Sequence, residues 1–163
     1  MRDYIRCWDS FERFLAWQIE HCDDRSTIYF ASEGVSTGEP ELISTQRLRL
    51  RQQALQWRYG GVPEEEAEVR PVKIGRCSRD PAIRLQELQV GNYRPLFDIC
   101  VIPVRDAVAV ETELHRAFAE FHIRGEWYAM APIIHQMIGV LIDIHERCVA
   151  PGARQINRRE LRG

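Results

Sequence analysis

The sequence has no long apolar run and no cysteine pair of the kind that holds a metal. No apolar stretch approaches the roughly 20 residues that a membrane-spanning helix needs, and we therefore expect no membrane segment. The first residues, MRDYIRCWDSFERF, lack the apolar core of a signal peptide, which predicts a cytoplasmic protein. An odd number of cysteines without a Cys-x-x-Cys pair argues against a disulfide framework and against a zinc ribbon; they are Cys7, Cys22, Cys77, Cys100 and Cys148.

The chain also lacks a strong net charge of either sign. Its formal net charge is -2 over 163 residues, with 45% hydrophobic and 28% charged residues, which is typical of one soluble globular domain. This balance excludes a protein that coats nucleic acid through bulk charge alone. The arginines are nevertheless clustered, with four and no acid in residues 45–58 and four against one glutamate in residues 154–163. Local basic stripes of this kind can bind phosphates.

Hydrophobic periodicity predicts an α+β domain in which helices cover a three-stranded sheet. The predicted helices span 9–22, 45–58, 81–90, 106–121 and 131–149, and the predicted strands span 26–32, 70–75 and 94–104. Residues 45–58 are ambiguous because RLRLR alternates like a strand, and we prefer a helix since Gln and Ala dominate the second half. We expect a single domain over 1–150, with an insertion at 31–70, and a basic flexible tail at 151–163.

The helix after the second strand has clear start and stop signals. Asp80 is a candidate N-cap, Pro81 takes the first helical position, and Gly91 follows the last turn. Residues 124–130 are predicted to form a tight turn and a short extended piece, with Trp127 packed against the sheet. The last predicted helix is strongly apolar.

A series of short motifs in a fixed order resembles the GIY-YIG nuclease superfamily. It is closest to the phage-associated branch that has Lys-Ile-Gly as its second motif and a Gly-Glu-Trp ending. The resemblance covers about residues 27–130 and rests on Thr27-Ile28-Tyr29, Lys73-Ile74-Gly75, Arg84, Val110-Glu111-x-x-Leu114-His115 and Gly125-Glu126-Trp127.

The resemblance implies a small, mainly antiparallel α+β domain that cuts phosphodiester bonds in DNA with one divalent metal, Mg²⁺ or Mn²⁺. Tyr29 would orient or deprotonate the attacking water or stabilise the reacting phosphate. Arg84 corresponds to the family arginine, Glu111 to the metal-binding glutamate, and Gly75 to the glycine that ends the second motif. His115, one helical turn after Glu111, would contact the substrate or the metal shell, or orient its neighbours.

The same residue types suit the chemistry on physical grounds. An arginine fork stabilises the charge on non-bridging phosphate oxygens, and a carboxylate with waters is a sufficient ligand set for Mg²⁺. A tyrosine with a pKa of about 10 is a poor base at neutral pH unless a cation lowers that pKa, and Lys73 is our candidate for the cation. The structural alternatives are an Arg84–Glu87 pair and a first-turn role for Glu111 at the helix dipole.

Further arginines are candidates for contacts to the DNA backbone, which position a strand without reading its sequence. Arg76 and Arg79 follow the second strand, whereas Arg47, Arg51 and Arg58 would share one face of the helix at 45–58. The alternative for each is a solvated surface position. A second functional class also remains open, namely a catalytically inactive module that binds nucleic acid, a protein partner or a second copy of itself through the N-terminal helix or the insertion.

Overall fold

The structure, a computed structural model, describes residues 2–23, 25–34, 43–58, 70–92 and 94–149. Within these ranges the side chains of 2–8, 43–44 and 56–58 are not described. The predicted tail at 151–163, the side chain of Arg58 and two parts of the predicted insertion, 35–42 and 59–69, therefore lie outside the described residues.

The predicted α+β class is confirmed. Five helices are described: α1 (Arg2–Glu20), α2 (Ile43–Arg58), α3 (Pro81–Val90), α4 (Ala107–Ala117) and α5 (Pro132–Val149), with a 3₁₀ turn at Ala119–Phe121. The strands are β1 (Thr27–Glu33), β2 (Pro71–Cys77), β3 (Leu96–Pro103), β4 (His122–Arg124) and β5 (Trp127–Ala129). The ambiguous basic segment is helical, as predicted, and none of the described helices is long and apolar enough to cross a membrane.

The described strands form one antiparallel sheet in the order β3-β1-β2-β5-β4, so the prediction of three strands was wrong. The two additional strands form a hairpin around Gly125, whose φ of 56° lies in the region that favours glycine. Each has only three residues, and all three residues of β4 are exposed. Such short strands show no apolar alternation, which is why the sequence predicted a tight turn and a short extended piece here but not two paired strands.

The two faces of the sheet are covered unequally. The main core lies on the face that carries Ile28, Phe30 and Ile74, against apolar residues of α1, α2, α4 and α5. Side chains alternate along a strand, so Tyr29 and Ala31 lie on the opposite face, where α3 packs. Helices α3 and α4 thus lie on opposite faces of the sheet, α3 against β1 and β3 and α4 against β2.

The predicted boundaries of α3 are confirmed. The carboxylate of Asp80 accepts a hydrogen bond from the backbone N–H of Ala82 at 3.0 Å, Pro81 opens the helix, and Gly91 is its C-cap. Because this cap fixes where the helix begins, it also fixes which side chains of the first turns lie over the sheet.

Candidate active site

A small cleft of about 270 Å³ opens beside the end of β2. Strand β5 pairs with β2 only from Pro71 to Lys73, so the rest of that edge of β2 is not covered by the hairpin ladder. Charged side chains from β2, the loop after it, α3, α4 and the hairpin turn line the cleft: Arg76, Arg79, Arg84, Glu87, Glu111 and Glu126. Four of the predicted site residues, Arg76, Arg79, Arg84 and Glu111, therefore lie together.

Tyr29 lies directly behind this cleft, against Gly75. The two residues are paired across the β1–β2 ladder, and Tyr29 is 2% exposed. A Cβ atom built on Gly75 would lie 2.6 Å from Cζ of the tyrosine and closer still to its hydroxyl oxygen, a separation that real side chains do not adopt. The glycine of the second motif thus makes room for the tyrosine of the first.

The cation that acts on the Tyr29 hydroxyl is Arg84 rather than Lys73. Burial and the charge of Glu126 raise the pKa of Tyr29 from 10.0 to about 12, and a hydrogen bond and the positive charge from Arg84 only partly offset them. Our expectation that Lys73 lowers this pKa is therefore wrong, because the neighbouring cation is a different residue and burial outweighs it. The phenol remains protonated at neutral pH.

Arg84 bridges the inner and outer parts of the cleft. Its guanidinium donates to the Glu87 carboxylate at 3.3 Å, as the structural alternative predicted, and it also contacts the Tyr29 hydroxyl. The hydrogen bond from Arg84 to Glu87 raises the pKa of Arg84, so its charge is retained. Arg79 lies 3.8 Å from the same carboxylate and has a side chain that is 76% exposed, which leaves it accessible at the rim.

Glu111 reaches the cleft from α4, on the other side of β2. Nε of Arg76 donates to its carboxylate at 2.8 Å, and the glutamate side chain is only 13% exposed. The helix begins after the N-cap Asp106 and has no acid in its first turn, so the first-turn explanation for Glu111 does not hold. This carboxylate instead faces an arginine of the neighbouring strand.

Lys73 binds Glu126, a residue to which the sequence assigned no role. The ammonium group pairs with the glutamate carboxylate and lies 5.8 Å from the centre of the Trp127 ring. The backbone carbonyl of Glu126 also accepts from the N–H of Ile74 at 3.0 Å, which ties the hairpin turn to β2. The only sequence signal for this residue is its place between the turn glycine and the tryptophan.

His115 contacts the backbone of β2. Its Nε2 donates to the carbonyl of Ile74 at 3.1 Å, and its ring packs 5.4 Å from the ring of Tyr128. This contact holds α4 against β2, one turn after Glu111. Among the alternatives left open by the sequence, the geometry corresponds to a histidine that orients its neighbours.

Trp127 is less buried than predicted. It packs on the sheet beside Lys73 but remains partly exposed, and it lines a groove of about 530 Å³ together with Leu88, Ile123 and Arg124. The hairpin extends the sheet beyond the area that α3 covers, which is why the indole is not enclosed.

None of the described side chains of the basic helix α2 lines the cleft. Arg47 forms an ion pair with Asp98 at 2.9 Å, and Arg51 donates to the carbonyl of Ile99 at 3.1 Å. Both contacts are to β3, at the opposite edge of the sheet from the hairpin. The predicted role of Arg47, Arg51 and Arg58 in DNA binding stays a prediction, and the side chain of Arg58 is outside the described residues.

The donor set of the cleft suits a largely hydrated divalent cation. Glu111 and Glu126 provide two carboxylates, and no group of three or more His, Cys, Asp or Glu side chains within the described ranges could enclose a metal. Mg²⁺ is usually held by one or two carboxylates and keeps several waters, and Mn²⁺ prefers similar oxygen ligands. Glu111 is paired with Arg76, so its carboxylate would have to exchange this partner to bind such a cation.

Comparison with known protein families adds an independent observation. Residues 56–147 match the T5orf172 domain, and this range contains β2, α3, β3, α4 and the hairpin. The chain belongs to the T5orf172 domain family. This is a phage-associated domain related to GIY-YIG-like nuclease and DNA-binding domains. Neither the curated proteins nor the solved structures gave a match.

The matched range differs from the range of the motif resemblance. It contains Lys73, Gly75, Arg84, Glu111 and His115, but β1 and its Tyr29 precede it. Tyr29 lies outside the matched range in sequence but next to it in the structure. It is paired with Gly75 across the β1–β2 ladder and contacts Arg84, and both of these residues are within the match.

Proposed function

We propose that this protein is a divalent-metal-dependent endonuclease that hydrolyses phosphodiester bonds in DNA. The observation that carries the proposal is the convergence of Arg84 and Glu111 in one cleft, from helices that pack on opposite faces of the sheet. Phosphodiester hydrolysis uses a guanidinium that stabilises the charge on the phosphate and a carboxylate that can bind a divalent cation. Membership of the T5orf172 domain family supports the same class.

Arg84 is proposed to bind the non-bridging oxygens of the scissile phosphate. A guanidinium can make two parallel hydrogen bonds to a phosphate, and such charge-assisted bonds are about twice as strong as neutral ones. Its contact with Tyr29 and its ion pair with Glu87 orient the group before a substrate arrives. Exchange of the Glu87 partner for phosphate would leave the Tyr29 contact in place.

Tyr29 is proposed to position Arg84 rather than to act as a base. With a pKa of about 12 it stays protonated through the neutral range, and it is almost completely buried. The accessible acceptor for a hydrogen bond from an attacking water is instead Glu126, whose carboxylate lines the cleft and is held by Lys73. Lys73 would thus act through Glu126.

Glu111 is proposed to hold Mg²⁺ or Mn²⁺, with Glu126 as a nearby second carboxylate. Such a cation neutralises charge on the phosphate and on the leaving oxygen. Arg76 would then release Glu111 and turn to the phosphate backbone, to which its half-exposed side chain has access.

The test is cleavage of supercoiled plasmid DNA by the full chain with Mg²⁺, with Mn²⁺ or with EDTA. Loss of one transition-state donor or of the metal ligand lowers rates by roughly 10²–10³-fold, and we expect at least this for Arg84→Ala and Glu111→Gln. Matched controls lie on the outer surface of α4, where Arg116 and Glu113 form a pair at 3.0 Å. Arg116→Ala and Glu113→Gln should cleave like the wild type, and equal activity in all five proteins would contradict the proposal.

A second candidate function is a binding module without turnover. It is favoured by the ion pairs that already occupy the key groups, Arg76 with Glu111 and Arg84 with Glu87. DNA binding that weakens with salt, combined with no metal-dependent cleavage at any protein concentration, would establish this alternative.

A further inference from the structure

Three loops lie side by side at the end of the sheet where the cleft opens. Thr27 at the start of β1 is paired with Cys77 at the end of β2 and with Pro103 at the end of β3. The turn before β1, the loop after β2 and the turn after β3 are therefore neighbours in space, although they are far apart in sequence. Each contains an exposed arginine: Arg25, Arg79 and Arg105.

Two of these turns are tied together by backbone hydrogen bonds. The N–H of Val104 donates to the carbonyl of Ser26 at 2.9 Å, and the N–H of Arg105 donates to the carbonyl of Gln18 at 2.9 Å. The side-chain oxygen of Gln18, a residue that is 5% exposed, accepts from the N–H of Asp106 at 2.7 Å. The backbone that carries the two arginines is thus fixed, which lowers the cost of ordering them on a ligand.

The surface between these turns is a groove of about 580 Å³ that lies next to the cleft. Arg76, Cys77 and Ser78 line both, so the groove and the cleft adjoin at these three residues. Beyond this shared part, Arg25 and Arg105 line the groove together with Trp17, which is 49% exposed.

The lining of the groove carries three arginines, one of them paired with Glu111, against two aspartates. The guanidinium groups of Arg25 and Arg105 are exposed and form no ion pair or hydrogen bond with the described residues. The two acids in the groove are bound to backbone amides: Asp23 accepts from the N–H of Arg25 at 3.0 Å, and Asp106 accepts from the N–H of Ala109 at 3.1 Å. One oxygen of each carboxylate is thus held by the backbone, whereas the guanidinium donors of Arg25 and Arg105 are not engaged by the described residues.

We propose that this groove binds the phosphate backbone of the DNA strand that passes through the cleft. We call Arg25, Arg76 and Arg105 the phosphate track. The inference rests on the proposed function, because the cleft defines where the strand must run, and it adds two contacts that the sequence did not indicate. It also differs from the sequence-based expectation, in which the arginines of α2 bind DNA, since Arg47 and Arg51 are engaged with β3.

The test is the salt dependence of binding to a fluorescent 20-base-pair DNA duplex, measured by anisotropy with the full chain in EDTA. The logarithm of the binding constant falls linearly with the logarithm of the salt concentration, and each lost phosphate contact makes this slope shallower by about 0.9. The loss of one contact therefore weakens binding on the order of tenfold at 0.1 M salt. We expect the slope for the double variant Arg25→Gln with Arg105→Gln to be shallower than that of the wild type by about 1.8. The charge-matched control is Arg116→Gln with Arg147→Gln, two exposed arginines outside both the cleft and the groove.

The outcomes separate this surface from the nuclease proposal. An unchanged slope in the Arg25/Arg105 variant, or an equal loss in the control, would overturn the phosphate track even if Glu111-dependent cleavage is observed. If the Arg25/Arg105 variant shows the expected loss of slope but the wild type shows no metal-dependent cleavage, the phosphate track is supported and the nuclease proposal is rejected. Replacement of both residues by lysine should restore most of the slope, which distinguishes loss of charge from a disturbed fold.

Discussion

The close packing of Tyr29 against Gly75 makes one substitution especially informative. At an unstrained strand position, Gly→Ala stabilises a protein by about 0.4–1 kcal/mol because it restricts the unfolded chain. At Gly75 the added methyl group would lie 2.6 Å from Cζ and 3.0 Å from Cε1 of Tyr29. The ring is completely packed between strand and helix, so we expect overpacking to dominate and Gly75→Ala to destabilise the protein by about 1–3 kcal/mol.

Urea unfolding of the full chain measures this effect. With an m-value of about 2 kcal/mol/M, the expected destabilisation lowers the midpoint by about 0.5–1.5 M. Gly91→Ala is the matched control, since the nearest atom to a methyl group added there would be a carbonyl oxygen of Leu88 at 4.0 Å. This control should leave the midpoint unchanged or raise it.

A double-mutant cycle then identifies the clash partner. In a Tyr29→Leu background the space over Gly75 is vacated, and Gly75→Ala should cost less by about 1–3 kcal/mol than in the wild type. An equal cost in both backgrounds, or a stabilising effect of Gly75→Ala alone, would refute the claim that the glycine exists to accommodate the tyrosine.

Two further predictions concern protonation. His135 is buried, neither ring nitrogen has a hydrogen-bond partner among the described residues, and burial lowers its pKa from 6.5 to about 4. Between pH 6.5 and pH 4 this histidine is therefore protonated in the unfolded chain but neutral in the folded chain. The free energy of unfolding should fall by up to about 3 kcal/mol as the pH is lowered from 6.5 to 4. His135→Leu should remove this part of the pH dependence in urea unfolding, and an identical slope in the variant would argue against it. Tyr29→Phe should slow DNA cleavage at every pH from about 6 to 9 without moving a basic limb, because the phenol stays protonated over that range; a shifted limb would show that the tyrosine is the base.

Elements with strong local signals were predictable from the sequence. The limits of α3 follow from Asp80, Pro81 and Gly91, whose effects on the backbone act within a few residues. Strands β1 to β3 are long enough to show apolar character. Strands β4 and β5 are not, because three residues with an exposed face carry no periodic pattern, and only pairing with β2 defines them.

The composition of the cleft was predictable only in part. The ordered motifs identified Arg84 and Glu111 as candidate site residues, and both side chains line the cleft in the structure. The carboxylate of Glu126 was missed because its role depends on an ion pair with Lys73, which lies 53 residues away in sequence.

Charge clustering in the sequence indicated only part of the cations near the cleft: Arg76, Arg79 and Arg84 line it, whereas Arg25 and Arg105 were not indicated. Arg47 and Arg51 stand in the most basic stretch, yet their partners on β3 are fixed by the tertiary packing of α2. Arg25 and Arg105 are isolated in sequence, and only the ladder register of β1 with β2 and β3 brings their turns to the mouth of the cleft. Which arginine is available to a ligand is thus decided by the fold.

The most direct test of the central claim is the single-turnover rate of DNA cleavage with Mn²⁺ for Glu111→Gln against Glu113→Gln. Both substitutions remove one negative charge from α4, but only Glu111 lines the cleft. If Glu111 holds the metal, Glu111→Gln should cleave at a rate at least about 10²-fold lower, whereas Glu113→Gln should cleave at the wild-type rate. Equal rates for the two variants would contradict this role of Glu111.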